Sequence, residues 1–388
     1  MNYNLSSSSW NFRELSAMKK VIKSDRYTMG KYTAEFEKQF KKFHKKKYAV
    51  MVNSGSSANL LMIAALMFLK KNNLKKGDEV IVPAVSWSTT FFPLQQYGLK
   101  VVFVDVSQDN FNIDPKNIEK AISKKTKAVF AVNLYGNPCN YSEIKKICKK
   151  YKLILLEDNC ESLGAKYKSI LTGSFGLMSS FSFFFSHHIS TMEGGMILTD
   201  NKELYQILVC LRAHGWTRSL PNKNLLFTKS VKDQFYELFN FILPGYNLRP
   251  LELSAAIGIE QLKKLPILIK ARKKNATYFK KKMSKIKSIS IQKEIGLSSW
   301  FCFGVIFHGP RDLLLKKLKE NKIEYRPIVS GNFTKNSAIK YFTYKIYGKL
   351  VNSDLIHYKG ISFGNSHLNL KKQIDLLAKV FNSIKIIA

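Results

Sequence analysis

The sequence predicts an α/β protein: a large lobe on a mostly parallel sheet, followed by a smaller C-terminal α+β lobe. Three observations predict it. Near-continuous Val, Ile and Leu runs recur between residues 48 and 159, the pattern of strands buried on both faces. Helix-forming stretches separate them, as crossovers between parallel strands require. Beyond residue 250 the order changes to long helices around a single strong strand. The expected division is therefore 1–250, the N-terminal segment and large α/β lobe, and 251–388, linking helices and small lobe; 388 residues suffice for two such cores.

In chain order, YAVMV (48–52) reads as a strand, and NSGSSANLLMIAALMF as a Gly/Ser turn opening an apolar helix. DEVIVPA (78–84), KVVFVDV (100–106), TKAVFAVNLYG (126–136) and LILLEDN (153–159) read as further strands. EGG (193–195) predicts a tight turn into the strand MILTD. A linking helix is expected over 251–265, interrupted at Pro266, with a basic amphipathic helix following to about Lys285. WFCFGVIF (300–307) reads as a strand, RDLLLKKLKENKI as a helix and KKQIDLLAKVFNSIKII (371–387) as a final helix.

Composition narrows the class. A hydrophobic fraction of 45% indicates a globular chain, and no apolar run approaches the roughly 20 residues that span a bilayer. The N-terminus lacks a basic-then-apolar leader. The formal charge of +36 comes from lysines spread in short runs such as KKFHKKK, which fits a basic surface rather than a nucleic-acid footprint. Five scattered cysteines suggest neither disulfides nor a metal cluster, and fit a reducing cytoplasm.

The polar residues at strand ends carry the chemistry. Small residues in NSGSSANLL precede a helix whose first N–H groups can hold a phosphate or simply be capped by serine. Asp158 ends an apolar strand, so its carboxylate needs a partner: a protonated ring nitrogen of a ligand, an arginine or a backbone cap. In SSFSFFFSHHISTMEGGM (179–196), phenylalanines 181, 183, 184 and 185 are expected to make the surroundings of Ser182 and His187 dry. His187 and His188 are either proton carriers or hydrogen-bonded structural histidines. The loop of ILPGYNLRPLELSAAIGIEQL (242–262) holds Asn247 and Arg249, which either reach a ligand across a subunit interface or cap a helix.

Taken together, RYTMGKYTAEFEKQF, SGSSANLLMIAAL, VPAVSWSTT, LLEDNCESLGA and PGYNLRPLELSAAIGIEQL resemble, in order and separation, the sugar aminotransferase family of pyridoxal-phosphate (PLP) enzymes. The resemblance runs through nearly the whole chain and implies the aspartate-aminotransferase-type fold (fold type I). It implies that the backbone at Gly55 and Ser56, with the Ser182 hydroxyl, grips the cofactor phosphate. Trp87 would stack on the pyridine ring, Asp158 would pair with its nitrogen, and Glu161 would flank its hydroxyl side. Asn247 would come from the neighbouring subunit of a homodimer.

One departure matters. Ordinary members place a cofactor-anchoring lysine five residues after the serine of this motif, where this chain has His187. Imidazole cannot take over that covalent bond, but it can move protons. The substitution, with SHHISTMEGGM, RAHGWTR and LPGYNLRPLE, resembles the dehydratase branch acting on a GDP-linked 4-keto-6-deoxy sugar. That likeness implies glutamate as cosubstrate, turnover between PLP and pyridoxamine phosphate, loss of the C3 hydroxyl, and release of 2-oxoglutarate and ammonia. His187 would be the acid/base, and His214 a candidate near the sugar. Another histidine-bearing branch carries an iron–sulfur cluster on grouped cysteines; no such group is present, so neither cluster nor metal is expected. The alternative is a 4-aminotransferase, or a 3-dehydratase for another nucleotide-linked 4-keto-6-deoxy sugar.

Overall fold

The apolar runs between residues 48 and 159 form the strands predicted for them and join one sheet, while the run at 300–307 enters a second. The computed structural model describes residues 2–221, 223–227, 234–237 and 239–384. Helices α1 (Phe12–Lys23) and α2 (Lys31–His44) precede β1 (Tyr48–Val52) and α3 (Gly55–Met67). There follow β2 (Glu79–Pro83), α4 (Phe92–Gln96), β3 (Lys100–Val104), α5 (Pro115–Ala121), β4 (Thr126–Val132), α6 (Tyr141–Lys150) and β5 (Ile154–Asp158). A short ribbon, β6 (Lys166–Tyr167) with β7 (Ile170–Leu171), leads to β8 (Met178–Ser182), β9 (Gly195–Thr199), α7 (Lys202–Arg212) and α8 (Gln234–Glu237). The rest comprises α9 (Glu252–Met283), β10 (Ile289–Ile291), β11 (Cys302–Phe307), α10 (Arg311–Glu320), β12 (Tyr344–Ile346), α11 (Val351–Lys359), β13 (Gly360–Gly364) and α12 (Lys371–Asn382).

The large sheet has the order β1-β9-β8-β5-β4-β2-β3-β12, antiparallel only where β9 pairs with β1 and β8. Every residue of β2, β8 and β9 is buried, because helices cover both faces. On one face lies α3, apolar around its whole circumference and correspondingly enclosed. A three-stranded sheet, β10-β11-β13, carries the smaller core with α9, α10 and α12.

Pro266 does not interrupt the long helix. It lies inside α9, which runs unbroken for 32 residues. The proline removes one backbone donor, but Leu262, Leu265 and Leu268 bury around it against Phe36 and Phe40 of α2, and this packing outweighs the local cost. The expected tail of the final helix, 385–387, lies outside the described residues. Elements also cross between lobes: β12 extends the large sheet in parallel with β3, Phe333 and Leu350 join the large core, and Tyr3 joins the small one, where its hydroxyl donates to the Gly364 carbonyl at 2.8 Å. Among the described residues, no helix is long and apolar enough to cross a membrane.

Candidate active site

The carboxyl end of the large sheet gathers the polar residues, as open α/β sheets do. Asp158 ends β5, Ser182 ends β8, Gly55 opens α3 just after β1, and Trp87 and Thr90 follow β2. Asp158 is buried. Its Oδ2 accepts from Asn59 Nδ2 and Thr90 Oγ1, each at 2.9 Å, and its Oδ1 from the Cys160 N–H at 3.1 Å. The backbone cap foreseen for it is present. No arginine or lysine forms an ion pair with it among the described residues.

At the start of α3 the serines divide their work. Ser54 caps the helix by accepting the Ser57 N–H at 3.0 Å, and Ser57 donates to Asn53 Oδ1 at 2.6 Å, so both are structural. Ser56 turns outward and donates to Thr89 Oγ1 at 3.0 Å. Gly55 is a close approach: a Cβ there would lie 2.6 Å from Ser182 Cβ and 2.9 Å from Cys160 Sγ. The Trp87 indole is exposed and opens the turn that carries Thr89 and Thr90.

The two histidines separate into different roles. His188 is buried and its Nε2 meets the Ser299 carbonyl at 3.2 Å, the structural reading. His187 is half-buried; its Nδ1 is shut off from solvent without a hydrogen-bond partner, and its ring lies 5.0 Å from that of Phe301 at an interplanar angle of 32°. Burial pushes its pKa down to about 4; the Cys160 carbonyl opposes this and the Arg272 cation adds to it. The dryness has a different origin from the one expected. Phe181 and Phe183 are buried, but Phe184 and Phe185 are each 45% exposed, and Phe301 from the small lobe supplies the cover.

Glu161 is half-buried, with one oxygen accepting the Tyr135 N–H at 3.0 Å. Burial of its carboxyl, with the Asp158 charge adding to it against the Tyr135 N–H, drives its pKa up to about 8. Tyr135 itself has a left-handed backbone (φ 58°), an uncommon conformation for such a residue.

His214 and Asn247 come together, but not with the rest. His214, exposed and with φ 65°, donates its N–H to the Tyr246 carbonyl at 2.7 Å, while Ala213 and Asn247 form a β-bridge. The exposed Asn247 side chain accepts from Arg249 Nε at 3.0 Å. Among the described residues no hydrogen bond links either side chain to Asp158, Ser182 or His187.

Asn59, Thr90, Tyr135 and Phe301 were not anticipated from sequence. Asn59 had a signal: it stands four residues after Gly55, on the same face of the same helix. A cavity of about 530 Å³ lies elsewhere, between Ser24–Tyr32 and Glu252, and contains none of these groups. The Glu252 carboxylate there is already satisfied by the N–H groups of Gly30, Tyr32 and Thr33 that open α2.

Residues 10–381 match the DegT/DnrJ/EryC1/StrS aminotransferase family. The chain is 53% identical over 385 residues to the GDP-4-keto-6-deoxy-D-mannose 3-dehydratase of Escherichia coli O55:H7 (strain CB9615 / EPEC), covering 98% of this chain and 99% of that one. A solved structure of an E. coli enzyme of that name, with bound hydrated PLP, matches with a TM-score of 0.96 and 52% identity over 98% of this chain and 99% of the other. A second solved dehydratase, with a trapped PLP–glutamate geminal diamine, gives the same TM-score and identity over 98% and 100%. By its fold, its site and a match over nearly its whole length, this protein belongs to the DegT/DnrJ/EryC1/StrS aminotransferase family.

Proposed function

We propose that this chain catalyses the PLP- and glutamate-dependent removal of the C3 hydroxyl from GDP-4-keto-6-deoxy-D-mannose, giving the 4-keto-3,6-dideoxy sugar with release of 2-oxoglutarate and ammonia. The product is a precursor of colitose in surface polysaccharides. The observation that carries the reading is His187: where family members anchor the cofactor with a lysine amine, an imidazole with an enclosed Nδ1 stands beside the Cys160 backbone, just past the end of β5. Similarity over the full length to enzymes of that name supports the substrate.

The residues present fit the cofactor. Asp158 is a buried carboxylate with three neutral donors and no ion-paired cation among the described residues, so it would hold a protonated pyridine nitrogen as its missing cationic partner. Gly55 leaves a floor that one added carbon would fill. Gly55 and Ser56 backbone groups and the Ser182 hydroxyl would hold the phosphate at the α3 N-terminus, and Trp87 would cover the ring face. When bound, the pyridoxamine form supplies an amine for the C4 ketone and an electron sink conjugated to it.

The chain's own residues then handle protons. Asp158 would keep the ring nitrogen protonated. Glu161, neutral at pH 7, can donate a hydrogen bond on the ring's hydroxyl side. His187 is neutral at pH 7, so it accepts a proton without first losing one. Its depressed pKa makes the resulting imidazolium a strong acid, suited to protonate the departing C3 oxygen. A histidine near its ordinary value would be the better base but the poorer acid.

The proposal includes a cytoplasmic homodimer, a division at 250/251, and Asn247 reaching the neighbouring protomer's phosphate site. Support for the dimer comes from the outward Asn247 and from Phe12, Leu15 and Ile22, all more than half exposed on α1. His214, held beside Asn247, would approach the sugar from the same side. The test is a mass-spectrometric assay with PLP, glutamate and GDP-4-keto-6-deoxy-D-mannose, with ammonia measured in parallel. A nucleotide sugar lacking one oxygen, with ammonia, is the expected result; a retained 4-amino sugar would establish transamination instead.

A further inference from the structure

We infer that Phe301 is a positioning residue for the reaction: its ring, held at 5.0 Å and 32° from that of His187, fixes the imidazole's orientation and keeps water from it. The inference rests on the reading of His187 as the acid/base. A side chain that moves a proton has to be aimed, and a hydrogen bond to its second nitrogen commonly does this. In His187 the Cys160 carbonyl is the one polar partner, and Nδ1 is enclosed and unpartnered among the described residues, so packing must complete the setting of the ring's direction. Among the described residues, two rings contact it. Phe184 meets it edge-on at 6.4 Å and is itself 45% exposed, which leaves Phe301 as the fixed wall.

Phe301 is well placed to be that wall. It precedes β11, and its backbone is held at both ends: its N–H donates to the Tyr135 carbonyl at 2.9 Å, and its own carbonyl accepts from Arg272 Nη1 at 2.9 Å. Its ring stacks on Tyr135 at 6.4 Å and 25°, and Tyr135 gives its N–H to Glu161. Trp300, just before it, has φ 50°, a costly conformation that turns the chain toward the site. The small lobe thereby reaches over the large-lobe histidine. The charged and titratable groups facing His187 are Arg272 on α9 and His188 on its own loop, while the Cys160 carbonyl after β5 is the polar partner of its ring.

The experiment compares Phe301→Ala and Phe301→Tyr in the PLP-loaded full-length enzyme, by steady-state kinetics and by NMR titration of ¹³C-labelled histidine. The His187 signal is identified by its absence in His187→Asn. For Phe301→Ala we expect kcat to fall about 30-fold with KM changed less than about threefold, the scale of a misaimed catalytic group. The His187 midpoint should rise by at least about one pH unit as water reaches the ring, and the acid limb of kcat should rise with it. Phe301→Tyr, which keeps a planar ring, should restore both to within about threefold. A kcat loss with an unmoved His187 midpoint, or with no rescue by tyrosine, indicates general damage and overturns the inference; so does an alanine variant that works normally. If His187→Asn itself turns over, the reading of His187 fails, independently of Phe301.

Discussion

Asn59, one turn into α3, donates its side-chain N–H to Asp158 at 2.9 Å and so ties the start of that helix to the end of β5. The same Nδ2 approaches the Thr89 carbonyl at 3.3 Å, while Asn59 Oδ1 is buried without a partner. Asn59→Leu should therefore lower stability only modestly, since two hydrogen bonds are lost but one unsatisfied acceptor vanishes with them. It should weaken PLP binding about tenfold by leaving Asp158 less firmly oriented, in line with roughly 1–3 kcal/mol for a buried polar contact. Absorbance titration with PLP, alongside thermal melting, separates the two effects.

His187→Asn keeps shape and polarity but has no group that titrates near neutrality. Turnover should drop by about 10³, within the range of general acid–base contributions, while PLP affinity stays within about threefold. His187→Lys should restore a covalent attachment, detected by mass after borohydride reduction. Unchanged turnover in the asparagine variant would sink the assigned role.

Glu161 predicts an alkaline limb. With its pKa raised to about 8, the carboxyl is neutral at pH 7 and loses its proton, and its ability to donate, as the pH passes 8. A folded-state value above the unfolded one means that the associated stability is full below the ordinary carboxylate range and declines as pH rises through 8. Glu161→Gln keeps a donor that cannot titrate, so the decline in kcat near pH 8 should disappear with activity at pH 7 largely kept. A limb that persists in the glutamine variant would assign it to another group.

His44 is buried among Phe40, Phe43 and Phe181 at 4.8–5.1 Å, with neither ring nitrogen bonded. Burial, with Lys46 adding to it, pushes its pKa down to about 3. Its folded value lies below the unfolded one, so the unfolded state binds the extra proton, and stability is lost as pH falls from about 6.5 toward 3, by at most about 1.4 kcal/mol per pH unit. His44→Leu removes both unsatisfied nitrogens and that slope. Its melting temperature should exceed the parent's, with the gap widening from pH 7 to pH 5.

The strands were legible because β2, β4 and β5 are buried on both faces, and such strands cannot hide their Val and Leu runs. The residues at their ends were legible too, since a carboxylate such as Asp158 after an apolar run demands a partner. What stayed hidden depends on distant pairings. Nothing local marks Phe301 as the neighbour of His187, because the contact is made between lobes. Pro266 misled in the opposite direction: its local preference is real, but the leucines around it bury well enough to carry α9 through. The pKa values of His187 and Glu161 also follow from enclosure by other segments, which spacing along the chain does not express.

The exchange of β12 and Tyr3 between the lobes has a consequence for how the chain is made. Among the described residues, the edge of β3 is covered by 344–346, so until these have left the ribosome the nascent large sheet exposes an unpaired, apolar border. The small core in turn keeps a slot for Tyr3, which precedes the whole large sheet in the chain. Each half therefore completes the other, and two fragments cut at 250/251 would have to find one another before either became a closed, soluble fold.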